Sequence, residues 1–154
     1  MEVKSIIFVC LGNICRSPLA EGIAKKYAKE YNLDLKIDSA GTGNWHVGEA
    51  PCSDSIKIGK QKGIDISNQR ARLVQKEDFS NFDLVIALDD KNLRDLKNLG
   101  CKNPIKIGDF GCKGEDVPDP YFFNGFEGFD KVYEMIEVCV KNLIKDKFLK
   151  EKAF

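Results

Sequence analysis

Cys10-Leu11-Gly12-Asn13-Ile14-Cys15-Arg16-Ser17-Pro18 decides the fold through what flanks it on either side. Before it, Ser5-Ile6-Ile7-Phe8-Val9 is mostly apolar and partly β-branched, the composition of a short buried strand. After it, Leu19, Ala20, Ile23, Ala24, Tyr27, Ala28 and Tyr31 recur at helical spacing, with Ser17 suited to cap the helix and Pro18 to its first turn. The order is strand, tight loop, helix. A loop opening onto a helix N-terminus gathers unpaired backbone N–H groups and the positive end of the helix dipole, which together make a cradle for an oxyanion. Arg16 adds a planar fork of donors that fits two oxygens of a phosphate-like group, and Cys10 stands in the same positive field as a thiolate.

Further along, Asp34 to Asp38 alternates as a second strand and runs into Ser39-Ala40-Gly41-Thr42-Gly43, small residues that let a neighbouring loop approach closely. This connection length favours a parallel pair with a right-handed crossover. Ser53 to Gln61 reads as a helix stopped by Gly63. Phe82 to Leu88 reads as a strand covered on both faces. Leu93, Leu96 and Leu99 mark another helix, and Ile105-Lys106-Ile107 a short last strand. A long closing helix carries Phe129, Val132, Tyr133, Ile136, Val140, Leu143 and Ile144 on one face, with Lys145, Lys147 and Lys150 toward the negative end of its dipole.

With 154 residues the chain suits one domain, 1–154. Lysine and arginine number 24, as do aspartate and glutamate, so no basic excess recruits nucleic acid. No leader and no run long enough for stable membrane insertion is legible, so a cytoplasmic protein is expected, with six reduced cysteines rather than a disulfide framework. One histidine among those cysteines gives no zinc spacing, and neither a metal nor any other cofactor is called for. Oligomeric state is open between a monomer and a weak oligomer.

The stretch from 109 to 128 is the longest irregular one, and Pro118 and Pro120 restrict Asp119 between them, which helps to aim its carboxyl group. A cysteine attacking a phosphate monoester needs thiolate character, donors for the phosphoryl oxygens and a proton for the departing oxygen. Cys10, the loop from Leu11 through Ser17 with Arg16, and Asp119 supply these in turn. Asn13 suits unusual backbone geometry and braces the loop. Tyr121 and Phe122, with Leu11 and Trp45, form either an aromatic slot for a flat phenyl group or a small core under the long loop. Trp45 is thus a rim wall or a plug. For His46 a structural loop role is adequate. Arg70 and Arg72 are equally an anion-facing surface or a solvated pair. Asp89 and Asp90 suit capping or loop-bracing better than magnesium.

Val9 through Pro18, Ser39-Ala40-Gly41-Thr42, Ala71-Arg72, Asp89 with Asn92, and Asp119-Pro120-Tyr121 closely resemble the low-molecular-weight protein tyrosine phosphatase family over essentially the whole chain. The resemblance implies an α/β three-layer sandwich with a central four-stranded parallel sheet, order 2-1-3-4, and helices on both faces. It implies metal-independent hydrolysis of protein phosphotyrosine and small aryl phosphates through a phosphocysteine intermediate. Cys10 is then the nucleophile, Arg16 the phosphate clamp and Asp119 the general acid. Leu11, Gly12, Asn13, Ile14, Cys15, Ser17, Trp45, Tyr121 and Phe122 bind substrate, while Asn13 braces the loop, the Ser17 hydroxyl supports the Cys10 thiolate and Ser39 gives structural support. Tyrosine-phosphorylated proteins or peptides are the expected partners, with phosphate and other oxyanions as ligands. Cys15 becomes a reversible oxidation partner of Cys10.

Two departures stand out: Cys52-Ser53-Asp54 where family members often carry Asp-Pro-Arg, and Phe122 where they often carry tyrosine. Arsenate reduction on a related fold is the nearest rival, but Ala87 to Asn92 lacks the cysteine relay such enzymes use. A phosphotyrosine-binding protein with little turnover is the other, and the intact Cys10, Arg16 and Asp119 set argues against it.

Overall fold

The computed structural model describes residues 4–120 and 127–149. Its strands are β1 (Ser5–Cys10), β2 (Lys36–Gly41), β3 (Leu84–Ala87) and β4 (Ile105–Lys106). They form one parallel sheet in the order β2-β1-β3-β4. The helices are α1 (Arg16–Glu30), α2 (Ser53–Gln61), α3 (Asp78–Asn81), α4 (Asp90–Asn98) and α5 (Glu127–Ile144), with a 3-10 turn over Ile107–Phe110 and a π-helical turn over Lys145–Leu149.

Side chains of a strand alternate between faces, and β1 uses both. Ile6 and Phe8 pack with Leu19 and Ile23 of α1 and with Tyr133 and Ile136 of α5. Ile7 and Val9 pack on the opposite face with Phe82, Val85 and Leu96, beside Phe79 of α3 and Leu93 of α4. Helices therefore cover the sheet on both sides, as the resemblance implied. Because all four strands are parallel, Cys10 pairs with Gly41 and Val9 with Ala87, so the loops after β1, β2 and β3 leave from one edge. The strand order reverses between β1 and β3, the place in an open α/β sheet where a crevice forms.

The element reading holds for α2, whose bounds are as predicted, and shifts elsewhere. β2 starts later and takes in Ser39, Ala40 and Gly41, because Gly41 pairs with Cys10. A Cβ on Gly41 would lie 2.8 Å from the Leu11 carbonyl oxygen, so glycine here lets the loop close over the strand. Ser17 does not cap α1: the helix already starts at Arg16, and the Ser17 hydroxyl is bound to Cys10 and Asn13 instead. β4 stops at Lys106, where Ile107 turns into the 3-10 segment. The short helix α3 carries no period long enough to be read in sequence.

Candidate active site

The loop after β1 is held by backbone on one side and by a polar network beneath. Thr42 N–H donates to the Cys10 carbonyl and Gly43 N–H to that of Leu11, both at 2.9 Å. At the bend, Asn13 takes φ 58°, the left-handed region that asparagine tolerates better than most residues. Its amide nitrogen donates to Ser17 Oγ at 2.8 Å and to Ser39 Oγ at 2.9 Å, and its amide oxygen accepts from Arg72 N–H at 3.0 Å. Ser39 in turn donates to buried Glu21 at 2.7 Å. Cys10 Sγ, buried at the strand end, lies 3.0 Å from Ser17 Oγ and accepts from Asn13 N–H at 3.3 Å. A sulfur anion here has two donors already aimed at it.

Arg16 sits in the first turn of α1 with its side chain almost wholly buried. Its Nη1 donates to Asp89 Oδ2 at 2.7 Å and to the Val117 carbonyl at 2.9 Å, which fixes the guanidinium plane. Burial alone would lower its pKa, but the negative charge of Cys10 and the hydrogen bond to Asp89 outweigh burial and hold it above the usual arginine range. Two anchors on one nitrogen leave the other edge of the fork to chelate an oxyanion. Asp89 uses its second oxygen to cap α4 through Asn92 N–H at 2.7 Å, so it is both cap and brace.

Asp119 comes from the loop after the 3-10 turn, and its Oδ2 lies 4.0 Å from Arg16 Nη2. That loop is pinned close by. Val117 N–H donates to the Leu88 carbonyl, and Lys106 Nζ grips Asp116 at 2.6 Å and Asp90 at 3.0 Å. Burial pushes the Asp116 carboxyl up, but the Lys106 ammonium and the Asp90 N–H outweigh it and hold Asp116 below the usual carboxylate range.

Cys10, Arg16 and Asp119 share one cavity of about 290 Å³, with Leu11, Gly12, Ile14 and Cys15 along the loop side. Trp45 and His46 line its mouth. Trp45 is 69% exposed, so it is a rim wall and not a plug. His46 bonds Glu49 at 2.6 Å. Arg70 donates to the carbonyls of Ser67 and Gln69 in its own loop, and Arg72 is spent on Asp38 and Asp78, so neither faces the cavity as an anion receptor. Tyr121 and Phe122 lie outside the described residues. Among the described residues no group of three His, Cys, Asp or Glu side chains is placed to hold a metal, and no helix is long and apolar enough to cross a membrane.

Glu21 escaped the sequence reading. It stands four residues after Ser17, hence on the same face of α1, and that spacing was the available signal.

A sulfur beside a buried guanidinium, with a carboxyl group across the same cavity at a parallel-sheet edge, defines the class of phosphatases that pass a phosphoryl group through cysteine. Comparison with known proteins narrows the class. A family described as low molecular weight phosphotyrosine protein phosphatase matches residues 5–153. The low molecular weight protein-tyrosine-phosphatase PtpA of Staphylococcus aureus is 38% identical over 155 residues, covering 95% of this chain and 97% of the relative. Among solved structures, a protein tyrosine phosphatase from Entamoeba histolytica superposes with a TM-score of 0.88 at 37% identity, covering 98% and 99% of the two chains. DARP, a Drosophila arginine phosphatase, gives 0.84 at 32% identity, covering 92% and 96%. The chain belongs to the low molecular weight phosphotyrosine protein phosphatase family. It is a metal-independent hydrolase of protein phosphotyrosine and small aryl phosphates that works through a phosphocysteine intermediate.

Proposed function

We propose that Cys10 is the sulfur that carries the phosphoryl group, Arg16 its clamp and Asp119 the acid and base. In the first step the Cys10 thiolate attacks phosphorus while the Arg16 fork and the loop N–H groups hold the equatorial oxygens. Asp119, protonated at that moment, gives its proton to the departing phenolic oxygen. In the second step the Asp119 carboxylate takes a proton from the water that attacks phosphocysteine, and phosphate leaves. Ser17 and Asn13 receive the returning sulfur anion. Gly12, Ile14 and Cys15 shape the loop around the phosphate, and Leu11 and Trp45 form the walls on which the aryl ring lies. Ser39 supports Asn13. Tyr121 and Phe122 are proposed as further walls.

The observation that carries this reading is the shared cavity in which Arg16 reaches toward Asp119 at 4.0 Å beside Cys10. The whole chain, 1–154, is proposed to act as one catalytic domain in the cytoplasm, on tyrosine-phosphorylated proteins. Cys10→Ser should abolish turnover of an aryl phosphate while still binding vanadate or phosphate. Turnover at the wild-type rate by that variant contradicts the assignment. Because DARP is described as an arginine phosphatase, a phosphotyrosine peptide is best compared with a phosphoarginine peptide, and the phosphotyrosine one should win in kcat/KM.

A further inference from the structure

Cys15 lines the catalytic cavity on one side and meets a second cysteine on the other. Its Sγ lies 2.8 Å from Cys52 Sγ, where Cys52 stands just ahead of α2. The two chain segments are already tied, since Cys52 N–H donates to the Ile14 carbonyl at 2.8 Å. Ser55 completes the cluster, 3.1 Å from Cys52 Sγ and donating to the Cys15 carbonyl at 3.2 Å. Cys52 is not among the described residues that line the cavity. Both thiols of the pair are half-buried and free.

We propose that Cys52 is a resolving cysteine, which moves oxidation off the Cys10 sulfur by forming a Cys15–Cys52 disulfide and so returns Cys10 to its reduced state. The proposal rests on Cys10 being the reactive sulfur of the proposed mechanism. The oxidant is a peroxide. The Cys10 thiolate attacks the peroxide oxygen, giving Cys10 sulfenic acid and hydroxide. Cys15 displaces that oxygen as water, forming a Cys10–Cys15 disulfide. The Cys52 thiolate then attacks Cys15 Sγ. The Cys15–Cys52 bond forms, the Cys10–Cys15 bond breaks and the electron pair leaves on Cys10 as thiolate. The sum is one peroxide reduced to water and hydroxide and two cysteines oxidised to one disulfide.

Three features support the last step. The attacking and attacked sulfurs are already in contact, about 0.8 Å beyond disulfide bonding distance. The leaving sulfur has Ser17 Oγ and Asn13 N–H waiting for it. The hydrogen bond from Cys15, joined by those of Ser55, holds Cys52 down to about 6 against the opposing effect of burial, so Cys52 is the thiolate of the pair near neutral pH. The other close pair, Cys112 and Cys139 at 2.9 Å, stands apart from the cavity, and burial pushes the Cys139 thiol up.

Tryptic mapping tests the relay directly, because Cys10 and Cys15 share peptide 5–16 while Cys52 lies in peptide 37–57. Wild-type protein and Cys52→Ser are treated with equimolar hydrogen peroxide, alkylated and digested without reduction. Wild type should yield 5–16 joined to 37–57, with fragmentation placing the bridge on Cys15 and the alkyl group on Cys10. Cys52→Ser should hold an internal Cys10–Cys15 bridge and lose aryl phosphatase activity about tenfold faster under peroxide. A wild-type map with only the internal bridge, or equal inactivation of the two proteins, overturns the relay. Basal turnover before peroxide is read separately: both proteins should show it equally, and activity in Cys10→Ser would overturn the catalytic reading beneath the relay.

Discussion

Arg16 Nη1 donates to Asp89 Oδ2 at 2.7 Å, and this one contact joins the start of α1 to the carboxyl end of β3. The remaining oxygen of Asp89 caps α4. A single carboxylate thus aims the Arg16 guanidinium, the proposed phosphate clamp, and caps a helix, which makes the two roles separable by mutation.

Asp89→Asn keeps a good cap but removes the charge that orients Arg16. The melting temperature should change little. The value of kcat/KM for an aryl phosphate should fall about 10- to 100-fold, matching the roughly 1.5–3 kcal/mol of a hydrogen bond to a charged group. Asp89→Ala should lose the same activity and about 1 kcal/mol of stability besides. Unchanged kcat/KM in Asp89→Asn would show that Arg16 is aimed by other contacts.

Asn13 joins backbone strain to a buried network, with φ 58° and three side-chain hydrogen bonds. In Asn13→Ala a residue less tolerant of that φ replaces asparagine and buried partners go unmet. A loss of about 2–3 kcal/mol, read as a fall of about 5–10 °C in melting temperature, is expected. Activity should fall as well, because Ser17 and the Cys10 sulfur lose their anchor. A variant as stable as wild type would mean that the loop relaxes without cost.

The Lys106 clasp gives a pH signature with a definite sign. Asp116 is depressed, so its contribution is complete above the unfolded value of about 4 and is lost as pH falls through the lower folded value. The Lys106 pKa is raised, since its bonds to Asp116 and Asp90 outweigh burial. Its contribution is complete below about 10.4 and lost as pH rises beyond. The melting-temperature difference between wild type and Lys106→Met should therefore be widest between about pH 5 and 9 and shrink below about pH 4. A difference that persists unchanged at pH 3 counts against the clasp.

Much of this was legible in sequence because its causes are local. An apolar run, a loop and a helical period, all within 27 residues from Ser5 to Tyr31, gave β1, the cradle and α1. Pro118 and Pro120 marked Asp119. The contacts that aim these groups join distant segments, and no local pattern encodes them. Asp89 meets Arg16 across 73 positions and Arg72 N–H meets Asn13 across 59. Trp45 illustrates the remaining ambiguity, since an aromatic residue in a loop reads equally as rim or plug until its surroundings are known. Ser17 reads in sequence both as a helix cap and as support for the Cys10 sulfur, and its hydroxyl takes the second role, 3.0 Å from that sulfur, because the helix already starts at Arg16.

For Asp119→Asn the loss should depend on the leaving group. With phenyl phosphate, whose phenoxide needs a proton, kcat/KM, which reports on the steps up to departure of the leaving group, should fall about 10²- to 10³-fold. With a nitrophenyl phosphate the fall should be much smaller. Equal losses of kcat/KM across leaving groups would remove the acid role from Asp119.

Rapid-quench mass spectrometry on Asp119→Ala, in which release of phosphate is slowed, tests the sulfur route at its centre. Peptide 5–16 should carry one phosphoryl group on Cys10 within the first turnover, and Cys10→Ser should carry none. Turnover of aryl phosphate with that peptide never phosphorylated, at any quench time, would contradict it.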